Sequence, residues 1–155
     1  MKLYKVLFES SFSYARPQPP DDVNDKNISN QSNEKGLYCT GLCAEFAVAL
    51  NKTFGYDLAA FMQTEYDSDY DQNYYTLVHA FAKHPSDETL GIDAQGIRPI
   101  EEIKQDLFVS SKGQIKMVRT SEKDLDEQGL EGLDAQAVDD AIRYIRIHRG
   151  HYEAD

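Results

Sequence analysis

The hydrophobic pattern of the chain changes its period at Gly55, and this change does most to limit the possible folds. Between Gly41 and Phe54, apolar residues recur at three- and four-residue steps, which predicts an amphipathic helix capped by Thr40 and stopped by Gly55. Three short apolar segments follow and predict strands of an antiparallel meander: residues 58–64, 75–83 and 89–94.

The whole chain predicts one α+β domain spanning residues 1–155, whose 41% hydrophobic content suffices for a single core. Residues 2–8 alternate as a strand, and the polar stretch 15–35 is too poor in apolar residues to offset its ordering entropy. We expect that stretch to be a long loop, either mobile or held as a flap. Further predicted elements are a short helix after Pro99, a strand at 115–120, and a helix at 134–148 with Val138, Ala141, Ile142 and Ile145 inward.

The charge of the chain limits its partners. It holds 27 acidic against 16 basic residues, a net charge of −11, which repels phosphate backbones and anionic lipids. No stretch approaches the roughly 18 apolar residues of a membrane-spanning helix, and the first residues lack the features of a secretion signal. We expect no nucleic-acid or membrane binding, and either a cytoplasmic location or export as an effector without a classical signal peptide. The oligomeric state stays open.

The two cysteines, Cys39 and Cys43, differ in their expected surroundings. A thiol is a useful nucleophile only as the thiolate, which the unpaired N–H groups and the dipole of a first helical turn stabilise. Cys43 falls in that turn, whereas Cys39 precedes the helix and is interpreted as structural. A disulfide between them is not expected, because an i, i+4 pair often has poorly aimed Cβ vectors.

A histidine and an aspartate on consecutive predicted strands are candidates to act together with Cys43. His79 lies in VHAFA and Asp93 in GIDAQG, so two adjacent strands would place them side by side. A general base needs such a third group to fix its tautomer and to stabilise the imidazolium. On a regular strand Leu77, His79 and Phe81 share one face, so we expect the imidazole in the layer covered by the Cys43 helix.

These segments together resemble a known superfamily. The helix-start cysteine in GLCAEFAVAL, the histidine in VHAFA and the aspartate before a glycine turn in GIDAQG look like papain-like enzymes, and most like transglutaminase-core thiol enzymes, over residues 36–100. The resemblance implies a nucleophile helix packed on an antiparallel sheet. It also implies Cys43 as nucleophile, His79 as base and then acid, and Asp93 as orienter.

The function implied by this resemblance is that of a thiol-dependent hydrolase or acyl transferase acting on an amide bond, with a protein or peptide as substrate. Peptidase, glutamine deamidase and transglutaminase chemistry share the first step and all stay open. The chain departs from the family in having no glutamine shortly before Cys43 and no tryptophan. The backbone N–H of Cys43 would then bind the oxyanion, with a second donor from the preceding loop: Gln31, Asn33 or Tyr38.

A zinc site competes for some of the same residues. The cysteines, His79 and His84 are residue types that bind zinc. The cysteine spacing is wider than in a usual zinc knuckle, and His79 and His84 would point to opposite faces of a regular strand. We therefore expect no metal, and nothing in the sequence indicates a cofactor.

The acidic, tyrosine-rich stretch 66–75 precedes the strand that bears His79. It either lines the substrate entrance or is a solvated hairpin connection, and the candidate substrate-binding residues are Tyr38, Tyr70 and Tyr74. The alternative function is a non-catalytic binding or inhibitory protein that uses this acidic, tyrosine-rich surface on a papain-like fold.

Overall fold

The structure of the protein is a computed structural model that describes residues 41–107, 114–128 and 132–155. The predicted strand at 2–8, the polar loop at 15–35 and the helix cap Thr40 lie outside the described residues, as do Cys39 and the loop candidates Gln31, Asn33 and Tyr38.

The helices and strands of the described chain follow one another in the order α1, β1 to β4, α2, β5, α3, α4. The helices are α1 (Cys43–Phe54), α2 (Ile100–Gln105), α3 (Glu122–Gln128) and α4 (Ala135–Ile147), followed by a 3-10 turn at Arg149–His151. The strands are β1 (Leu58–Asp67), β2 (Gln72–Lys83), β3 (Leu90–Asp93), β4 (Gly96–Pro99) and β5 (Gln114–Thr120). Within those ranges no helix is long and apolar enough to cross a membrane.

The five strands form one antiparallel sheet in the order β4-β3-β2-β1-β5, so the described chain is of the α+β class. The predicted meander of three strands is confirmed as β1, β2 and β3. Two features extend it: β1 and β2 continue into the tyrosine-rich stretch, and β4, which was not predicted, pairs with β3. The predicted strand at 115–120 is β5, on the opposite edge beside β1.

Helix α1 covers the sheet and packs mainly against β2 and α4. It begins at Cys43 rather than at Gly41, because Leu42 takes the N-cap position, and Leu42 makes no side-chain cap hydrogen bond. Gly55 ends the helix as predicted, with a φ of 76° that a residue with a Cβ rarely adopts, and its N–H donates to the Asn51 carbonyl at 2.7 Å.

Two hydrophobic clusters lie on the two faces of the sheet, as the alternation along β1 requires. Leu58, Ala60 and Met62 join the larger cluster, which α1 and α4 cover. Ala59 and Phe61 join a smaller cluster on the opposite face, which α2 covers through Ile100 and Ile103.

A bulge in β2 overturns the expectation that Leu77, His79 and Phe81 share one face. Phe61 pairs with His79 but Met62 pairs with Leu77, so β2 carries one extra residue at this point. Leu77 therefore belongs to the α1 cluster and Phe81 to the α2 cluster. An inserted residue shifts the alternation by one, and sequence periodicity assumes a regular strand.

Helix α4 closes the α1 side of the sheet. Asp134 caps it by accepting hydrogen bonds from the N–H groups of Gln136 and Ala137 at 2.9 and 3.1 Å. Of the residues predicted to face inward, three are buried and Ile142 is only half-buried. The buried three are Val138, Ala141 and Ile145.

Replacement of Gly91 by alanine should destabilise the fold. Gly91 lies between β2 and β4, and a Cβ there would come within 2.7 Å of Ile103 Cδ1 and 2.9 Å of Phe81 Cδ2. We expect Gly91→Ala to lower the free energy of unfolding by about 1–3 kcal/mol, as overpacking of a core does. Urea denaturation measures it. Gly150→Ala is the matched control, since a Cβ there meets nothing within 4 Å, and equal stability of the two variants would contradict the prediction.

Candidate active site

His79 lies on β2 directly after the bulge and is 6% exposed. Its Nε2 is 3.3 Å from Asp93 Oδ2. The imidazole is nearly parallel to the ring of Phe81, with 6.4 Å between the ring centroids. One ring nitrogen of His79 is thus engaged by a carboxylate.

Asp93 is the last residue of β3, is 3% exposed, and is held by three other hydrogen bonds. The Gln95 N–H donates to Oδ1 at 2.9 Å, which forms a turn closed by the aspartate itself. Arg98 donates from Nη2 to Oδ2 at 2.8 Å and from Nε to Oδ1 at 3.4 Å. These donors replace the water that an ionised carboxylate loses on burial.

Cys43 is the first residue of α1 and is 4% exposed. Its side chain interacts with the His79 ring and helps to raise the pKa of that histidine. The structure therefore brings Cys43, His79 and Asp93 together in one chain of contacts, from the start of a helix through β2 to the end of β3.

The surroundings of His79 favour its charged form. Burial alone would lower its pKa, but the hydrogen bond to Asp93 and the contact with Cys43 outweigh burial and raise the pKa of His79 from 6.5 to about 9. At neutral pH the ring is therefore an imidazolium between the Cys43 sulfur and a carboxylate.

Asp93 is ionised for the complementary reason. Burial would raise its pKa, but the hydrogen bonds from His79 and Arg98 lower it below its usual value. Burial would likewise lower the pKa of Arg98, and its hydrogen bonds to Asp93 and Asp106 raise it instead. The buried charges of this site are thus mutually compensated.

Of the candidate substrate-binding tyrosines, Tyr38 lies outside the described residues, and the structure gives the positions of Tyr70 and Tyr74. Tyr70 lies in the turn between β1 and β2 and is 62% exposed. Tyr74 is buried, and its hydroxyl accepts a hydrogen bond from Gln72 Nε2 at 2.6 Å. Tyr74 lies on β2 five residues before His79, on the other side of the bulge.

His84 takes part in a turn after β2. Its Nδ1 accepts hydrogen bonds from the N–H groups of Ser86 and Asp87, at 3.3 and 3.1 Å. Over residues 41–107, 114–128 and 132–155, no three residues among the histidines, cysteines, aspartates and glutamates cluster as metal ligands would.

Three residues that support this site were missed by sequence reasoning. Arg98 donates hydrogen bonds to Asp93, and the only sequence feature that could have indicated this contact is the basic residue in GIRP, five positions after Asp93. Glu45 is buried two residues after Cys43, burial raises its pKa, and its Oε1 accepts from the Asp134 N–H at 3.3 Å, tying α1 to the start of α4. Tyr152 donates from its hydroxyl to the Ala94 carbonyl at 2.9 Å, next to Asp93.

The chain was compared with protein-family models, with curated proteins and with solved structures, and none of the three comparisons found a match. The resemblance of its motifs to papain-like enzymes therefore stays a prediction.

The stability of the protein should depend on pH through His79. Because its pKa is raised from 6.5 to about 9 in the folded state, its stabilising effect is fully present below pH 6.5 and is lost as the pH rises through 9. Denaturant unfolding at pH 6 and at pH 10 measures how much the free energy of unfolding falls between the two pH values. We expect this fall to be larger in wild type than in His79→Gln by on the order of 3 kcal/mol. His84→Gln is the control. A difference between wild type and His79→Gln that does not change with pH would refute it.

Proposed function

We propose that this protein is a thiol-dependent hydrolase or acyl transferase that acts on an amide bond of a protein or peptide, on a papain-like, transglutaminase-core fold. The observation that supports the proposal is the continuous contact of Cys43 at a helix start with buried His79, whose Nε2 meets Asp93. A nucleophile, a base and an orienting group in that order are what such chemistry requires.

In the resting site, Cys43 and His79 would form a thiolate–imidazolium pair. Since Asp93 occupies Nε2, the other ring nitrogen, Nδ1, is left for the sulfur. Asp93 would fix the tautomer and stabilise the imidazolium without taking its proton. The N–H groups of the first turn of α1 add a favourable field at the sulfur.

The first chemical step would be attack of the Cys43 sulfur on the substrate carbonyl carbon. A carbon–sulfur bond forms and the carbonyl π electrons move to oxygen, giving a tetrahedral intermediate. The carbon–nitrogen bond then breaks, and His79 gives its proton to the departing nitrogen. The products are a thioester on Cys43 and a free amine or ammonia.

The second step would return the enzyme. Water or an acceptor amine attacks the thioester while His79 takes its proton, and the carbon–sulfur bond breaks. Cys43 leaves as thiolate beside the imidazolium again. Water as acceptor gives hydrolysis or deamidation, and an amine gives transamidation.

The oxyanion of the tetrahedral intermediate would be bound at the start of α1. The first N–H groups of a helix have no acceptor within the helix, and Leu42 at the N-cap has no side-chain oxygen to offer them. The N–H of Cys43 is closest to the reacting carbon and is the first donor we assign.

The test is the reactivity of Cys43 with iodoacetamide in a Cys39→Ser background, followed by intact mass. We expect His79→Ala to slow alkylation at pH 7 roughly thirtyfold, because an unpaired thiol is only a few per cent ionised there. Cys43→Ala should abolish the mass shift. A chloroketone that mimics glutamine, used in the same way, tests whether the site accepts an amide side chain.

His84→Ala is the matched control, since it removes an imidazole from a turn that follows the same strand. Alkylation of Cys43 no faster than that of free cysteine, or an equal rate in His79→Ala and wild type, would disprove the proposed pair.

A second candidate function is a binding or inhibitory protein that uses the tyrosine-rich hairpin. Three tyrosines between the end of β1 and the start of β2 are exposed: Tyr66 and Tyr70 at 62% and Tyr75 at 45%. Asp67, Asp69 and Asp71 accompany them in the sequence. Large amphipathic side chains beside negative charge suit a basic protein surface.

Two sets of variants distinguish the enzyme function from the binding function. Each variant is expressed in the cell that makes the protein, and its biological effect is compared with that of wild type. The binding hypothesis expects Cys43→Ala to retain full effect and Asp67→Lys with Asp69→Lys and Asp71→Lys to lose it. The enzyme hypothesis expects the reverse. Asp139→Lys with Asp140→Lys, on the exposed face of α4, controls for charge reversal alone.

A further inference from the structure

Arg98 shares with His79 the oxygen through which Asp93 acts. Its Nη2 donates to Asp93 Oδ2 at 2.8 Å, whereas His79 Nε2 is 3.3 Å from the same oxygen. Charge-assisted N–H···O bonds are about 2.7–2.9 Å long. The guanidinium contact falls in that range and the imidazole contact is longer, so Arg98 holds Oδ2 more closely than His79 does.

The strand pairing explains why Arg98 reaches Asp93. In the β3-β4 hairpin, Arg98 lies opposite Gly91 and Asp93 lies opposite Gly96, so Arg98 and Asp93 are diagonal neighbours on one face. A third guanidinium nitrogen, Nη1, donates to the carboxylate of Asp106, which follows α2. The guanidinium is thus fixed from two sides, and its side chain is largely buried.

We propose that Arg98 is a positioning residue that shares the Asp93 carboxylate with His79 and so limits how strongly this carboxylate binds the His79 imidazolium. The importance of Arg98 for catalysis rests on the proposed thiol mechanism. The effect of Arg98 on the His79–Asp93 pair is independent of that mechanism.

The restraint has a chemical purpose in that mechanism. His79 must give its proton to the departing nitrogen in each cycle, and an imidazolium that is held too tightly by its carboxylate is a poor acid. By occupying Oδ2, Arg98 keeps the imidazolium acidic enough to act. The Gln95 N–H preserves the orientation of Asp93 independently, so loss of Arg98 would change the charge balance before it changed the geometry.

The signs of the effects follow from the charges that face His79 and Asp93. These come from Cys43 on α1, Asp93 on β3, Arg98 on β4 and Asp106 after α2. Removal of a neighbouring cation raises the pKa of a histidine, and removal of an anion lowers it.

The experiment is an NMR titration of the His79 imidazole from pH 5 to pH 11, with its signal assigned by its loss in His79→Gln. We expect Arg98→Met to raise the pKa of His79 by about one pH unit from its wild-type value. Arg98→Lys should return most of that shift, since it restores the charge. Arg119→Met is the matched control, because Arg119 pairs with Asp57 on the exposed surface at 2.9 Å, and it should leave His79 unchanged.

Asp106→Asn gives a second test, in which the pKa of His79 is expected to move in the opposite direction. Asp106 is exposed, so this variant keeps the proposal testable if Arg98→Met does not fold. It frees the full guanidinium charge for Asp93 and should lower the pKa of His79. A pKa that is unchanged or lowered in folded Arg98→Met, or unchanged or raised in Asp106→Asn, would overturn the proposal. A purely structural role would change the melting temperature and leave the pKa where it is.

The iodoacetamide experiment separates this inference from the proposed function. An inert Cys43 with the expected shifts at His79 would reject the thiol mechanism and keep the restraint. A reactive Cys43 without these shifts would keep the mechanism and reject the restraint.

Discussion

Hydrogen bonds from three neighbours stabilise the ionised Asp93 carboxylate in the interior. The Gln95 N–H, the Arg98 guanidinium and the His79 ring saturate its two oxygens. An isolated buried carboxylate would take up a proton instead. Because Asp93 stays charged, His79 can hold its proton. The site is therefore one electrostatic unit built from α1, β2, β3 and β4.

The bulge in β2 determines which side chains share that unit. The strand must pack Leu77 beneath α1 and Phe81 beneath α2, and a regular alternation cannot do both. One extra residue solves the conflict and re-aims the residue that follows it, which is His79. Bulges are common beside functional sites because they re-aim a side chain.

Much of the fold could be predicted because its signals are local. The α1 helix, its Gly55 stop, the three-stranded meander and the inward residues of α4 follow from periodicity and end signals within each segment. The bulge and β4 could not, since four residues that include Pro99 carry no alternation and a bulge depends on packing from both faces. Cys43, His79 and Asp93 were predicted as site residues from motifs, whereas Arg98 was missed because its contact with Asp93 depends on the pairing of β4 with β3.

Tyr152 connects the order of synthesis to the assembly of the site. A growing chain that has emerged as far as Arg98 and Asp106 contains every charged group of the site. The hydroxyl that holds the Ala94 carbonyl comes 58 residues after its acceptor, and the ring of Tyr152 also packs edge-on against Phe46 of α1 at 5.3 Å. Closure of so long a loop is slow relative to formation of local hairpins. A ribosome-bound chain would thus hold every charged group of the site before the contacts of Tyr152 with Ala94 and with Phe46 can form.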